Sequence, residues 1–138
     1  MKIQVMSQSD AERYSEGRNK ETSVVISITS HNDDYAKINV SEYNNILGVL
    51  NLKFDDTDIS NKLSVSSNHA DEVRTFVIKY KDKVDKIIVH CGAGKSRSAG
   101  LAAALLKWLY NDDTQIFNNK IYTPNMLVYR TMLNELME

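Results

Sequence analysis

The chain has 138 residues, of which 42% are hydrophobic, and its formal net charge is −1. This length and apolar content fit one compact α/β domain with a substantial core, spanning residues 1–138. The near-neutral charge provides no general attraction to nucleic acid or to anionic membranes, so we expect neither as a partner.

The first half of the chain alternates apolar runs with polar segments, a pattern that predicts strands separated by helices and loops. The predicted segments are, in order, a short strand over Lys2–Met6, a helix over Ser9–Tyr14 capped by Ser7 or Ser9, a strand over Ser23–Thr29, a polar loop over Ser30–Glu42 and a strand over Asn45–Phe54. The run from Ser23 is rich in β-branched residues, which indicates a buried strand.

The second half predicts three helices and one further strand. Its segments are a helix capped by Ser67-Asn68 with Asp71 and Glu72 in the first turn, a strand over Lys86–His90, a helix over Ser98–Tyr110, and a C-terminal helix with Thr123 as cap and Pro124 at its first position. The helix from Ser98 is apolar on almost every side, which indicates that it is buried. Together the segments predict a central, mostly parallel sheet of four to five strands flanked by helices.

The turn between the last predicted strand and the buried helix is the most informative segment. It starts at Cys91, the only cysteine, and contains Gly92 and Gly94. These glycines let the backbone curl so that successive N–H groups point at one centre, where the positive end of the helix dipole also acts. Arg97 can grip two oxygens of a tetrahedral anion at that centre. Such a turn is predicted to be a phosphate cradle.

The same positive surroundings favour the thiolate of Cys91, since cysteine pKa values fall to about 3.5–7.5 at helix N-termini and near cations. Ser98 could donate a hydrogen bond to that thiolate. A phosphate held beside a thiolate indicates nucleophilic phosphoryl transfer through a cysteinyl-phosphate. An ordinary buried thiol is the usual interpretation of a lone cysteine, but it leaves the joint placement of Gly94, Arg97 and Ser98 unexplained.

The run His90-Cys91-x-x-Gly94-x-x-Arg97-Ser98 resembles the signature loop of cysteine-dependent protein phosphatases, and its Ala93-Gly94 pair looks most like the dual-specificity branch. The resemblance covers about residues 45–137. It implies a phosphotyrosine-phosphatase-like fold in which Cys91 is the nucleophile, Arg97 clamps the phosphate and Ser98 assists departure of the thiolate. It also implies that the phosphate is bound by the backbone amides of the turn, which are those of Gly92, Ala93, Gly94, Lys95, Ser96 and Arg97. It further implies that His90 is a buried support, and that Asn125, in a Pro-Asn segment typical of this branch, braces the active-site loop.

Phosphoester cleavage also needs a proton for the leaving oxygen, and three aspartates stand within residues 55–58 after a predicted strand. Most runs of this kind are solvated acidic loops. This one resembles the acid loop of dual-specificity phosphatases, in which a strand ends in a short polar run with an Asp-Thr pair. The resemblance implies that Asp56 is the general acid, with Asp55 as the alternative and Asp58 as a weaker one.

These residues predict a two-step reaction. Cys91 attacks phosphorus while Asp56 protonates the departing oxygen, and Asp56 then takes a proton from the water that hydrolyses the cysteinyl-phosphate. The substrate would be a phosphorylated protein, bearing phosphotyrosine or also phosphoserine and phosphothreonine, or a small phosphomonoester. We expect no cofactor and no metal.

Three alternatives remain open at the level of sequence. Lys95 adds charge beside the pocket, which would suit a phosphoinositide or another acidic substrate. The run from Gly92 to Ser96 also looks like the tail of a nucleotide-binding P-loop, although Val89 stands where that motif needs a glycine. The third alternative is a non-catalytic module that binds phosphoproteins, although such modules usually lack the cysteine.

The N-terminal segment and the lone cysteine indicate a compartment. Met1–Ser7 is too polar for a signal peptide, and no apolar run approaches the length of a membrane span. One cysteine excludes an internal disulfide. A cytoplasmic protein with a reduced thiol is therefore the simplest interpretation.

Overall fold

Four strands form one sheet in the computed structural model, which describes all residues from 1 to 138. The strands are β1 (Lys2–Ser7), β2 (Ser23–Thr29), β3 (Ile46–Lys53) and β4 (Lys86–Cys91). They lie in the order β1-β4-β2-β3, and every neighbouring pair is parallel. The predicted α/β fold with a mostly parallel sheet is thus confirmed, with four strands and no antiparallel strand in the sheet.

Five helices connect and cover these strands. They are α1 (Gln8–Glu16), α2 (Ser67–Tyr80), α3 (Arg97–Tyr110), α4 (Thr114–Phe117) and α5 (Met126–Leu136). The short helix α4 was not expected from the sequence, because four residues are too few to show a helical period. None of the five helices combines the length and the apolar character needed to cross a bilayer.

The two central strands carry the core. Every residue of β2 and of β4 is buried, as the apolar runs predict for strands covered on both faces. Side chains alternate across the sheet. Val24, Ile26 and Ile28 therefore face the main core, while Val25 joins a smaller cluster on the opposite face with Ile46 and Ile88.

Parallel strands place all their carboxyl ends at one edge of the sheet, and loops at that edge are the usual location of ligand sites in α/β folds. Here the segments that follow β2, β3 and β4 meet there. Helix α3 starts from the same edge and is buried over its first ten residues, from Arg97 to Leu106. A buried helix holds the preceding turn rigidly.

Two predicted helix starts are corrected by the structure. Helix α2 begins at Ser67 with Ser66 as its cap, so Asp71 and Glu72 fall beyond the first turn. The reason is His69, whose Nδ1 accepts the backbone N–H of Ser66 at 3.0 Å, a capping role that is usually filled by Glu or Gln. By contrast, the expectation that Ser7 caps α1 is confirmed by its hydroxyl, which accepts the N–H of Asp10.

The second correction concerns α5, which is capped by Asn125 and not by Thr123, so that Pro124 precedes the helix. The backbone N–H groups of Thr123 and Asn125 donate to the carbonyls of Lys95 and Ser96, at 2.9 and 3.0 Å. These bonds hold residues 123–125 against the turn after β4, and the helix begins only when they end. A tertiary contact therefore overrides the local Thr-Pro signal.

Candidate active site

The turn between β4 and α3 needs glycine at position 94. Gly94 adopts a φ of +73°, and a Cβ atom there would lie 2.6 Å from backbone atoms of Met6 and Ser7. The turn is also tied to α1, since the N–H of Gln8 donates to the carbonyl of Gly92 at 3.1 Å. The result is a tight loop whose backbone is pressed against the end of β1, with Gly92 and Ala93 exposed at its surface.

Cys91 ends β4 and is almost entirely buried, with 2% of its surface exposed. Its Sγ lies 3.1 Å from the Ser98 Oγ. Burial would raise the pKa of Cys91, but hydrogen bonds from Ser98 and from the Gly94 backbone, together with the charge of Arg97, lower the pKa below that of an ordinary cysteine. The site therefore favours a thiolate, the nucleophilic form of cysteine.

Arg97, the first residue of α3, is held by only one edge of its guanidinium. Its Nη1 donates to the Ser30 Oγ and to the Phe54 carbonyl, each at 3.0 Å. Its Nε is buried and has no hydrogen-bond partner, and its Nη2 lies beside Gly92. Buried polar groups are almost always paired, so the edge formed by Nε and Nη2 is available to a ligand with two acceptor oxygens.

His90 links the end of β4 to the neighbouring strand β2. It is completely buried, and its Nε2 lies 2.6 Å from the Ser27 Oγ of the neighbouring strand β2. Burial lowers the pKa of His90, which keeps the ring neutral. A buried, hydrogen-bonded ring is the supporting arrangement that the resemblance implies for this residue.

Asp56 lies beside the turn on the segment after β3. One of its oxygens, Oδ1, accepts hydrogen bonds from the Ser96 hydroxyl and from the Asn125 side-chain amide, both at 2.8 Å. The same amide donates to the Thr57 carbonyl at 3.0 Å, while the Asn125 Oδ1 caps α5 by accepting the N–H of Val128. Asn125 therefore joins the acidic segment to the turn, as the resemblance implies.

Asp55, the alternative acid, is engaged elsewhere. Both of its oxygens lie 2.8 Å from the His31 Nδ1, and the His31 backbone N–H donates to Oδ1 at 3.0 Å. The hydrogen bond from the His31 backbone, and to a lesser extent the one from its side chain, lowers the pKa of Asp55. A carboxylate that is stabilised in its ionised form is a poor proton donor. Asp58, the third candidate, is exposed like Asp56, but only Asp56 is hydrogen-bonded to the turn, through Ser96.

A cleft of about 470 Å³ separates the acidic segment from the start of α5. Its walls include Asp56, Asp58, Ser96 and Thr123. Lys95 is exposed at the turn, and its carbonyl accepts the N–H of Thr123. This cleft is thus polar and lies beside the turn at Ser96.

Two further observations concern the nucleotide-binding alternative and metal ions. Val89, at the position where a nucleotide P-loop requires glycine, is fully buried within β4, so no longer glycine loop precedes Cys91. The chain contains no group of three or more His, Cys, Asp or Glu side chains placed to hold a metal ion.

The sequence did not identify Ser30, His31 or the Phe54 carbonyl as site groups, although all three contact predicted site residues. Ser30 and His31 were predicted only to belong to a polar loop. The available signal was their position directly after β2, since the end of a parallel strand lies at the edge where the site forms. A backbone carbonyl such as that of Phe54 leaves no trace in residue type.

Comparison with known proteins places this geometry in context. The family model described as the Rit1 DUSP-like domain, in which DUSP denotes dual-specificity phosphatase, matches residues 47–135. No curated protein sequence matches the chain significantly.

Among solved structures, the human tyrosine phosphatase-like serine/threonine/tyrosine-interacting protein is 17% identical, with a TM-score of 0.65 over 96% of this chain and 89% of that one. Human DUSP28 is 11% identical, with a TM-score of 0.63 over 98% and 91%. PTPMT1 in complex with PI(5)P is 15% identical, with a TM-score of 0.57 over 99% and 90%. Together they show a dual-specificity phosphatase fold.

Proposed function

This chain belongs to the family of Rit1 DUSP-like domains, and we propose that it is a cysteine-dependent phosphatase that hydrolyses phosphomonoesters. The observation that carries the proposal is the buried Nε of Arg97, which has no partner in the protein. A phosphate in the turn after β4 would supply the missing acceptor oxygens. It would also bring phosphorus next to the Cys91 thiolate.

In the first step, the Cys91 Sγ attacks phosphorus, and the bond from phosphorus to the leaving oxygen breaks. The proton for that oxygen comes from Asp56, whose Oδ1 is already hydrogen-bonded to Ser96 in the turn. Arg97 and the backbone N–H groups of the turn stabilise the equatorial oxygens, where negative charge develops. The products of this step are the free alcohol or phenol and a cysteinyl-phosphate.

In the second step, the Asp56 carboxylate takes a proton from water, the water oxygen attacks phosphorus, and the bond from phosphorus to sulfur breaks. The Cys91 thiolate leaves with its charge stabilised by the Ser98 hydroxyl, which lies 3.1 Å from Sγ. Inorganic phosphate is released and the enzyme returns to its starting state, so a single aspartate serves as acid and then as base.

The proposed substrates are phosphoproteins carrying phosphotyrosine, and also phosphoserine or phosphothreonine, because Gly92 and Ala93 leave the turn exposed at the surface and the cleft beside Asp56 and Ser96 is polar. Phosphoinositides are the second candidate, since Lys95 is exposed at the turn and PTPMT1, whose structure contains PI(5)P, has the same fold. The reaction needs a reduced thiol, so we place it in a reducing compartment such as the cytoplasm.

The test is a metal-free assay against an aryl phosphate, a panel of phosphopeptides and a panel of phosphoinositides. Wild type should release phosphate and be inhibited by vanadate, which mimics the five-coordinate transition state, whereas Cys91→Ser should be inactive. The preferred panel identifies the substrate class. Turnover that survives Cys91→Ser, or that requires magnesium and ATP, would contradict the proposal.

A further inference from the structure

Side chains continue the pairing of β2 and β3 beyond the ends of these strands. The last backbone bond between the two segments runs from the Phe54 N–H to the Thr29 carbonyl, at 3.0 Å. Immediately beyond this bond, Arg97 Nη1 bridges the Oγ of Ser30, which follows Thr29, and the carbonyl of Phe54 itself. The next residue on each segment, His31 and Asp55, forms the following link.

The contact between His31 and Asp55 is made by side chain and backbone together. The Nδ1 lies 2.8 Å from both carboxylate oxygens, and the His31 N–H donates to one of them at 3.0 Å. An ionised carboxylate only accepts hydrogen bonds, so Nδ1 carries a proton in this contact. The Asp55 backbone N–H donates to the Leu63 carbonyl at 2.8 Å, which fixes the same residue from the other side.

The order of residues gives this contact its significance. Asp55 immediately precedes Asp56, the proposed acid, and His31 immediately follows Ser30, which holds Arg97. The pair thus connects the backbone from which the acid projects to the backbone that anchors the phosphate clamp. It lies partly at the surface, with 40% of the His31 side chain exposed, so its removal leaves the hydrophobic core intact.

We propose that His31 is a positioning residue which, through Asp55, sets the placement of the Asp56 carboxyl relative to the turn that holds phosphate. This role rests on the proposed phosphatase function. His31 does not touch the reacting atoms, and it acts only through Asp56, on the proton that Asp56 gives in the first step and takes in the second.

If His31 positions Asp56, its removal should reduce activity by an amount that depends on the leaving group of the substrate. Displacement of a catalytic group by 1 Å can cost about 100-fold in rate. Asp56 keeps its bonds to Ser96 and Asn125, so we expect His31→Ala to lose less, about tenfold in kcat/KM on an alkyl phosphate. An aryl phosphate with a good leaving group needs no proton to form the cysteinyl-phosphate, so its kcat/KM should change by less than about twofold. KM for the alkyl phosphate should hold because Arg97 keeps its own anchors.

The experiment measures kcat and KM of His31→Ala, Asp55→Ala and the double variant on both substrates. Each single variant should show the selective loss, and the double variant should be no worse than either, because the two residues act as one unit. His31→Asn places an amide donor near the position of Nδ1 and should restore most of the rate. Lys2→Ala breaks an exposed ion pair with Glu21 at the opposite end of the strands. This control variant should leave kcat and KM unchanged on both substrates.

The outcomes separate this role from the function on which it rests. Equal losses in kcat/KM on both substrates, additive losses in the double variant, or no loss at all would overturn the role of His31 while leaving the phosphatase intact. If His31→Ala does not fold, Asp55→Ala tests the same contact from the other side. A wild-type chain without phosphatase activity, or an active Cys91→Ser, would overturn the proposed function and this role with it.

Discussion

Arg97→Lys tests whether the free edge of the guanidinium binds phosphate. The substitution keeps the positive charge but removes the planar fork, so the two donors Nε and Nη2 are replaced by one ammonium group. A charge-assisted hydrogen bond contributes about 1.5–3 kcal/mol, and each 1.36 kcal/mol is a factor of ten in rate, so loss of one such bond predicts a fall in kcat/KM of about 10- to 150-fold. Vanadate should bind correspondingly more weakly.

The same substitution should also lower stability, because Nη1 no longer donates to Ser30 and to Phe54. A buried carbonyl left unpaired costs about 1–3 kcal/mol, which denaturant unfolding can measure alongside the kinetics. Arg13→Lys, at an exposed residue of α1, is the matched control and should change neither quantity. If Arg97→Lys bound vanadate as tightly as wild type, the unpartnered edge of the guanidinium would not be the phosphate-binding group.

Three further predictions concern the acid, the thiol and the turn. Asp56→Asn should lower kcat/KM for an alkyl phosphate by about 10²–10⁴-fold and leave kcat/KM for an aryl phosphate with a good leaving group nearly unchanged, since that ratio reports formation of the cysteinyl-phosphate and not its hydrolysis. Asp55→Asn, which keeps an oxygen for its histidine partner, should lower kcat/KM only slightly; the reverse order would move the acid to Asp55. Ser98→Ala removes a hydrogen bond that lowers the thiol pKa, so the pH profile of iodoacetamide alkylation should shift to higher pH; an unchanged profile would exclude that bond as a cause. Gly94→Ala must strain a φ of +73° and meet backbone at 2.6 Å, so the unfolding midpoint should fall well below that of Gly92→Ala, whose nearest contact is a flexible side chain at 3.8 Å; equal midpoints would contradict this.

Much of the fold was predictable because its signals are local. The β-branched run from Ser23 to Thr29 became a strand with those bounds, and the apolar helix after the turn is buried as expected. Gly94 and Arg97 were identifiable because a tight turn and a phosphate clamp demand particular residue types. The predicted Thr123 cap was wrong because hydrogen bonds to Lys95 and Ser96 decide where α5 begins, and those carbonyls lie almost thirty residues earlier in the chain.

The contacts of Arg97 could not be predicted from the sequence. Ser30 and the Phe54 carbonyl meet Arg97 only because three parallel strands end at one edge of the sheet, an arrangement that depends on strand order. The pattern of residues predicts parallel strands, but it does not specify that β2 lies between β3 and β4. Without that order, His31 is one polar residue in a loop, and its contact with Asp55 cannot be inferred.

Detection of the cysteinyl-phosphate would show whether Cys91 is the nucleophile. Asp56→Asn should still be phosphorylated by an aryl phosphate with a good leaving group, but it lacks the base for hydrolysis, so the intermediate should accumulate. After rapid acid quench, mass spectrometry of the digest should find phosphate on the peptide that contains Cys91, and none in Cys91→Ser. Steady phosphate release by wild type with no adduct on Cys91 in either protein, or an adduct on another residue, would contradict the account.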